Sequence, residues 1–125
     1  MGPIMIKGLR TAAYPAPDLA KAKAWYQVVF EKAPYFDEPF YVGFEIGGFE
    51  LGLVPDAPIG SGGPKVYWGV DSIATELVRL RNAGIIVDAE PQDVGGGIQV
   101  VDLVDPFGNR VGLIENPNFD ITKAK

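Results

Sequence analysis

Three observations predict an α+β fold built from two β-α-β-β-β modules. An amphipathic helical stripe occurs once in each half of the chain. Each stripe follows one strand-like run and precedes three more. A stretch rich in Pro and Gly, residues 55–64, separates the halves. The reading divides a single domain, residues 1–125, into module 1 (about 5–54), the linker 55–64, module 2 (about 65–117) and a tail, 118–125.

In module 1, "MIKGLRTAAY" mixes apolar and small residues as a strand does. Asp18 is placed to cap "LAKAKAWYQVVF", in which Leu19, Ala22, Tyr26 and Val29 form one helical stripe. "APYFDEP", "FYVGFEI" and "FELGLV" follow, the last two joined by Gly47-Gly48, a two-residue hairpin signal. In module 2, "KVYWGV" is the first strand. Asp71-Ser72 caps "IATELVRLRNA", whose stripe is Ile73, Leu77 and Leu80, and Gly84 ends it. "IIVDAEP", "IQVVDLV" and "RVGLIE" are the remaining strands. The halves align by residue as well as by order. Tyr14 matches Trp68, Leu19 matches Ile73, and Gly52 in "ELGLVP" matches Gly112 in "RVGLIENP".

Composition narrows the chemistry. The chain has 125 residues, 47% apolar and 22% charged, with a net charge of −5. This is a folded, soluble profile, and its acidity argues against a nucleic-acid surface. No apolar run is long enough for a membrane span, and the N-terminus matches neither a signal peptide nor a myristoylation site, so a cytoplasmic location is expected. Cysteine and histidine are both absent. That excludes disulfides, thiolate nucleophiles, Ser-His pairs and imidazole metal ligands, and leaves proton transfer to carboxylates, Lys or Tyr. "IGSGGP", 59–64, lacks the Lys-Ser/Thr of a phosphate loop.

Residues 105–109, Asp-Pro-Phe-Gly-Asn, have the composition of a tight turn between two strands. Gly112 then interrupts Val111, Leu113 and Ile114. A strand glycine marks a bulge, close packing or the approach of another group, and Gly112 with its match Gly52 is expected to leave space for a bulky organic ligand to reach the backbone.

Taken together, "PDLAKAKAWYQVVF", "GVDSIATELVRLRNAGI" and "DPFGNRVGLIENP", within the paired module order over residues about 5–117, resemble the vicinal oxygen chelate superfamily. That superfamily includes glyoxalase I, bleomycin-resistance and fosfomycin-resistance proteins and extradiol dioxygenases. The resemblance implies sheets curved into a cup, helices outside, a ligand inside, and a homodimer that in some members exchanges modules between chains. Its four metal-ligand positions, usually His or Glu, fall here on Thr11, Gly52, Lys65 and Gly112. None is a plausible first-row metal ligand, so no metal or other cofactor is expected and the pattern resembles the metal-free, bleomycin-resistance branch.

Strand alternation predicts the cup lining independently. Across the Gly47-Gly48 hairpin, Phe44, Ile46, Phe49, Leu51 and Leu53 share the face that packs under a helix, with Tyr41, Gly43, Glu45, Glu50 and Gly52 on the other. Arg110, Gly112 and Ile114 point inward on the last strand, Val100, Asp102 and Val104 on the one before. Lys65 and Tyr67 point inward on the fifth strand, Thr11 and Ala13 on the first. Trp25, Tyr26 and Trp68 are read as core. The candidate ligand-binding residues are thus Thr11, Tyr41, Glu45, Glu50, Gly52, Lys65, Tyr67, Asp102, Arg110 and Gly112. Glu45 and Glu50 are a solvated pair, a cation site or, if mutual repulsion raises one pKa, an acid/base pair. Lys65 and Arg110 form a structural ion pair with Asp102 or clamp an anion. The expected function is metal-free binding of a small organic molecule. The alternative is a glyoxalase-like lyase or isomerase, with Glu45, Glu50 or Asp102 as catalytic candidates or carboxylates weakly holding a divalent metal.

Overall fold

The structure, a computed structural model, describes residues 9–57, 65–120 and 122. Module 1 comprises β1 (Thr11–Pro15), α1 (Leu19–Phe30), β2 (Phe36–Glu38), β3 (Tyr41–Ile46) and β4 (Phe49–Val54); module 2 comprises β5 (Tyr67–Gly69), α2 (Ile73–Asn82), β6 (Gln92–Gly95), β7 (Ile98–Val104) and β8 (Arg110–Glu115). Each module forms one mixed four-stranded sheet, ordered β1-β4-β3-β2 and β5-β8-β7-β6. In both, the first strand runs parallel to the last and the others are antiparallel. The duplicated element order thus gives duplicated sheet topology.

The helices begin where their caps require. Asp18 accepts the Lys21 amide at 3.1 Å and Ser72 the Thr75 amide at 3.2 Å, each satisfying an amide that the first turn leaves unpaired. Of the two cap candidates in module 2, Ser72 takes the role. Gly84, at φ +87°, follows the α2 C-cap in the left-handed region that glycine enters without steric cost. The Gly47-Gly48 turn has φ +59° and +90°, the conformation that lets β3 and β4 pair in the expected register.

Two expected strands differ. Residues 85–91 contain no strand, and the ladder starts at Gln92. Ile85 and Val87 are buried in the core and Ile86 is exposed, so the alternation is real. However, Pro91 has no N–H to donate, and pairing with β7 begins only after it. The first strand is shorter than expected, beginning at Thr11, while Met5–Gly8 and the glycines of the linker lie outside the described residues.

One apolar core joins the modules. It includes Tyr14, Tyr26, Val29, Phe44, Leu51 and Leu53 from module 1 and Trp68, Ile73, Leu77, Leu80, Leu103 and Val111 from module 2. The repeat-related pair Tyr14 and Trp68 meet directly, the Trp68 indole N–H donating to the Tyr14 hydroxyl at 3.1 Å. Phe30 meets Trp68 edge-on with centroids 5.5 Å apart.

Two polar links reinforce this core. In the first, Arg79 of α2 donates to the carbonyls of Val28 and Val29 at 3.2 and 2.6 Å, and it pairs with Glu76 at 2.9 Å and Glu31 at 3.1 Å. A cation here satisfies the orphan carbonyls of the α1 C-terminus and complements its dipole. Arg79→Ala is therefore expected to cost about 1–2 kcal/mol in urea unfolding. In the second, the 105–109 turn closes around the Asp105 carboxylate, which is 4% exposed. Asp105 accepts the Phe107 and Asn109 amides, both at 2.9 Å, as well as the Tyr26 hydroxyl and the Asn109 side chain, both at 2.7 Å. Asn109 also donates to the Pro15 carbonyl at 2.7 Å. The turn of module 2 is thereby fastened to α1 and β1 of module 1.

Candidate functional site

The pairings place the predicted lining residues on the sheet faces opposite the core. Thr11↔Glu50, Gly43↔Gly52 and Glu45↔Glu50 are register partners in module 1, and Tyr67↔Gly112, Asp102↔Gly112 and Val104↔Arg110 in module 2. The complementary residues Phe44, Leu51, Leu53, Val111 and Leu113 are buried, as alternation requires.

Gly112 and Gly52 share one explanation: a tyrosine ring lies over each. A Cβ at Gly112 would sit 2.5 Å from the Tyr67 ring and 2.8 Å from the Val66 carbonyl oxygen. A Cβ at Gly52 would collide with the Tyr41 hydroxyl. Tyr67 reaches Gly112 as its direct partner on the parallel strand, and Tyr41 reaches Gly52 diagonally from β3. Each ring covers the backbone that glycine leaves bare, a pairing that stabilises strand glycines.

On module 1 the centre of the face is Glu50. Its carboxylate accepts hydroxyl bonds from Tyr35, from Tyr41 at 2.6 Å and from Thr11 at 3.2 Å. These donors favour the charged form and hold Glu50 below the ordinary glutamate range, with Tyr35 the largest cause, then Tyr41 and Thr11. Glu45 is occupied elsewhere. It pairs with Lys32 at 2.9 Å and accepts the Gly48 amide at 2.6 Å, and it too is held low, first by the Lys32 hydrogen bond and then by Gly48. The condition for mutual repulsion is not met: each carboxylate has its own donors and neither is raised. A low carboxyl stabilises the fold above its ordinary pKa, and that contribution is lost as pH falls through the lowered folded value. An NMR titration is accordingly expected to place the Glu50 midpoint below that of the same residue in the unfolded chain, and Tyr41→Phe to move it upward.

On module 2 the centre is Asp102, which Lys65 approaches at 3.1 Å and Arg110 at 3.6 Å. The three lie in an open groove of about 660 Å³ together with Tyr67, Ile86, Val94 and Val104. Every lining residue of this groove belongs to module 2, and every donor to Glu50 belongs to module 1. Thus Thr11, Tyr41 and Glu50 are brought together over Gly52, and Lys65, Tyr67, Asp102 and Arg110 over Gly112. Glu45, although the register partner of Glu50, gives its carboxylate to Lys32 and the Gly48 amide instead.

The sequence reading passed over Tyr35 and the groove wall from Ile86 to Val94. Tyr35 reaches Glu50 because β2 pairs with β3 through Phe36↔Gly43; Tyr35 stands at the bend just before β2, where strand alternation fixes no side. Part of the groove wall, Ile86 to Glu90, comes from the segment expected to be a strand, and Gln92 and Val94 come from β6.

The four positions at which the superfamily resemblance places metal ligands do not fit a metal. Thr11 donates to Glu50, Lys65 is a cation paired with Asp102, and Gly52 and Gly112 lie under tyrosines. Among the described residues, no three acidic, His or Cys side chains converge. No helix among them is long and apolar enough to cross a membrane.

No family model and no curated protein matches the chain. Solved structures do. A lactoylglutathione lyase from Agrobacterium tumefaciens aligns with a TM-score of 0.74 and 24% identity, over 92% of this chain and 99% of that one. A bleomycin resistance determinant encoded on transposon Tn5 aligns at 0.72 with 21% identity, over 88% and 98%. The fosfomycin resistance protein FosX from Listeria monocytogenes aligns at 0.73 with 19% identity, over 88% and 93%. These proteins share little sequence with the chain but nearly all of its architecture. The paired modules, their strand order and these neighbours identify the fold as that of the glyoxalase and bleomycin-resistance proteins.

Proposed function

We propose that the chain is a metal-free binding protein for a small organic molecule, held on the concave sheet faces of a homodimer. The observation that carries this reading is the module 2 groove. Its volume, about 660 Å³, falls within the span of small-ligand sites, and it combines apolar side chains with the Lys65–Asp102–Arg110 cluster and a polar wall of Asp88, Glu90 and Gln92. Two of the similar structures are named for resistance to bleomycin and fosfomycin, both small organic molecules, which supports the same class of ligand.

Exposed rings and aliphatic side chains support the dimer. Tyr35, Phe36 and Phe40 surround the module 1 face, and Tyr67, Ile86, Val94 and Val104 stand around the groove of module 2. A second copy placing its module 1 face over this groove would cover both sets and enclose the ligand. Sedimentation is expected to give twice the chain mass. Chelator-treated protein is expected to rise in Tm with at least one member of a panel of small organic compounds, and Tyr67→Ala with Lys65→Ala to remove that rise. A panel without a single shift, or a shift that requires added zinc, would sink the reading.

A further inference from the structure

We propose that the module 1 face selects an organic cation, with Glu50 as its counter-charge and Tyr35 and Tyr41 as its walls. This rests on the ligand-binding reading above and adds the sign of the ligand's charge. The geometry begins at Gly43. A Cβ there would lie 3.0 Å from Glu50 Oε2 and 3.3 Å from the rings of both Tyr35 and Tyr41. Glycine therefore lets a carboxylate and two rings converge over bare backbone. Phe36 is the register partner of Gly43 and extends the same face, with ring centroids 6.1 Å from Tyr41 and 5.9 Å from Phe40. Tyr35 and Phe40 are 63% and 65% exposed, so these rings present their surface outward.

Charge decides what such a surface attracts. The three donors to Glu50 are neutral hydroxyls, which orient the carboxylate but leave its negative charge in place. Among the described residues, the lysines that form ion pairs with module 1 carboxylates go elsewhere, Lys23 to Asp37 and Lys32 to Glu45. Asp102 of module 2 differs, because Lys65 and Arg110 already stand beside it. The electron-rich faces of aromatic rings favour the same sign of ligand as a carboxylate does. A hard metal ion needs six or more oxygens or retained water, whereas a weakly hydrated alkylammonium is satisfied by rings and one carboxylate.

The probe is benzyltrimethylammonium, compared with benzyl alcohol and benzoate, which keep the ring and change the charge. Binding is read from tyrosine ring signals by NMR. The cation is expected to shift Tyr35 and Tyr41 saturably and to bind about 10-fold or more tighter than benzyl alcohol. Glu50→Gln and Tyr35→Leu are each expected to weaken it several-fold. Asp37→Asn, whose residue pairs with Lys23 and is not on this face, is expected to leave it unchanged. Tm and circular dichroism of each variant establish that it is folded. Equal affinity for benzyl alcohol, or undiminished cation binding by folded Glu50→Gln, would overturn the inference. Binding of benzoate without the cation would overturn it while leaving the ligand-binding reading intact. If no probe of any charge binds and the wider panel also fails, both fall.

Discussion

Asp105→Ala is expected to lower the unfolding free energy by about 3–5 kcal/mol, because several buried hydrogen-bond donors lose their shared acceptor. Its carboxylate is the shared acceptor for the Tyr26 hydroxyl, the Asn109 amide group and two turn N–H groups. Removing it leaves these donors unpaired in a site from which water is excluded, and each such group carries its own desolvation penalty. Tyr26→Phe removes a single bond to a charged acceptor and is expected to cost less, about 1–3 kcal/mol. Urea unfolding followed by the fluorescence of Trp25 and Trp68 measures both, at an unchanged slope if the denatured state is unaltered. A loss below that of Tyr26→Phe would show that the turn does not fasten the modules together. Burial, and then the Asp105 charge, also push the Tyr26 hydroxyl far above the ordinary tyrosine range. A raised pKa stabilises the fold below the unfolded value, and that contribution declines as pH rises past it. Stability should therefore fall in alkali more steeply for the wild type than for Tyr26→Phe.

The second large effect separates two glycines that the sequence treats as equivalent. Gly112→Ala is expected to cost about 1–3 kcal/mol or more, because the new methyl meets the Val66 carbonyl as well as the Tyr67 ring. Backbone inside a sheet yields little. Gly52→Ala meets the outer end of Tyr41, a side chain that can swing away. Its stability cost is expected to be under about 1 kcal/mol, because the Tyr41 hydroxyl and the Glu50 carboxylate are half-buried and can turn to water once parted. The loss of the Tyr41–Glu50 bond should appear instead as an upward shift of the Glu50 titration. Thermal and urea unfolding of the two variants, side by side, give the comparison. Equal costs would mean that the tyrosine covers are incidental.

Much of the architecture was legible because local chemistry and long-range packing point the same way. The helix over 19–30 carries its cap, its stripe and its buried face in one segment. The strands 98–104 and 110–115 are bounded by turn residues on both sides. The segment 85–91 misleads because alternation reports which side chains are buried, not whether the backbone has a ladder partner. Pro91 marks where the partner starts. The sheet face of each candidate lining residue was legible, since alternation fixes the side of each. Of the Glu50 partners, Tyr41 shares the predicted hairpin face, whereas Tyr35 comes from the bend before β2, where alternation fixes no side. The expectation that Gly52 and Gly112 leave room for a ligand to reach the backbone does not hold. The approaching groups are tyrosines of the chain itself, which leave any ligand to lie against the rings.

The most direct test is amide NMR of chelator-treated protein titrated with whichever compound of the panel raises its Tm. Saturable shifts centred on Tyr67, Asp102 and Arg110, reached without added metal, are the predicted result. Shifts gathered on the helices α1 and α2, or appearing only when zinc is supplied, would contradict a metal-free site on the concave faces.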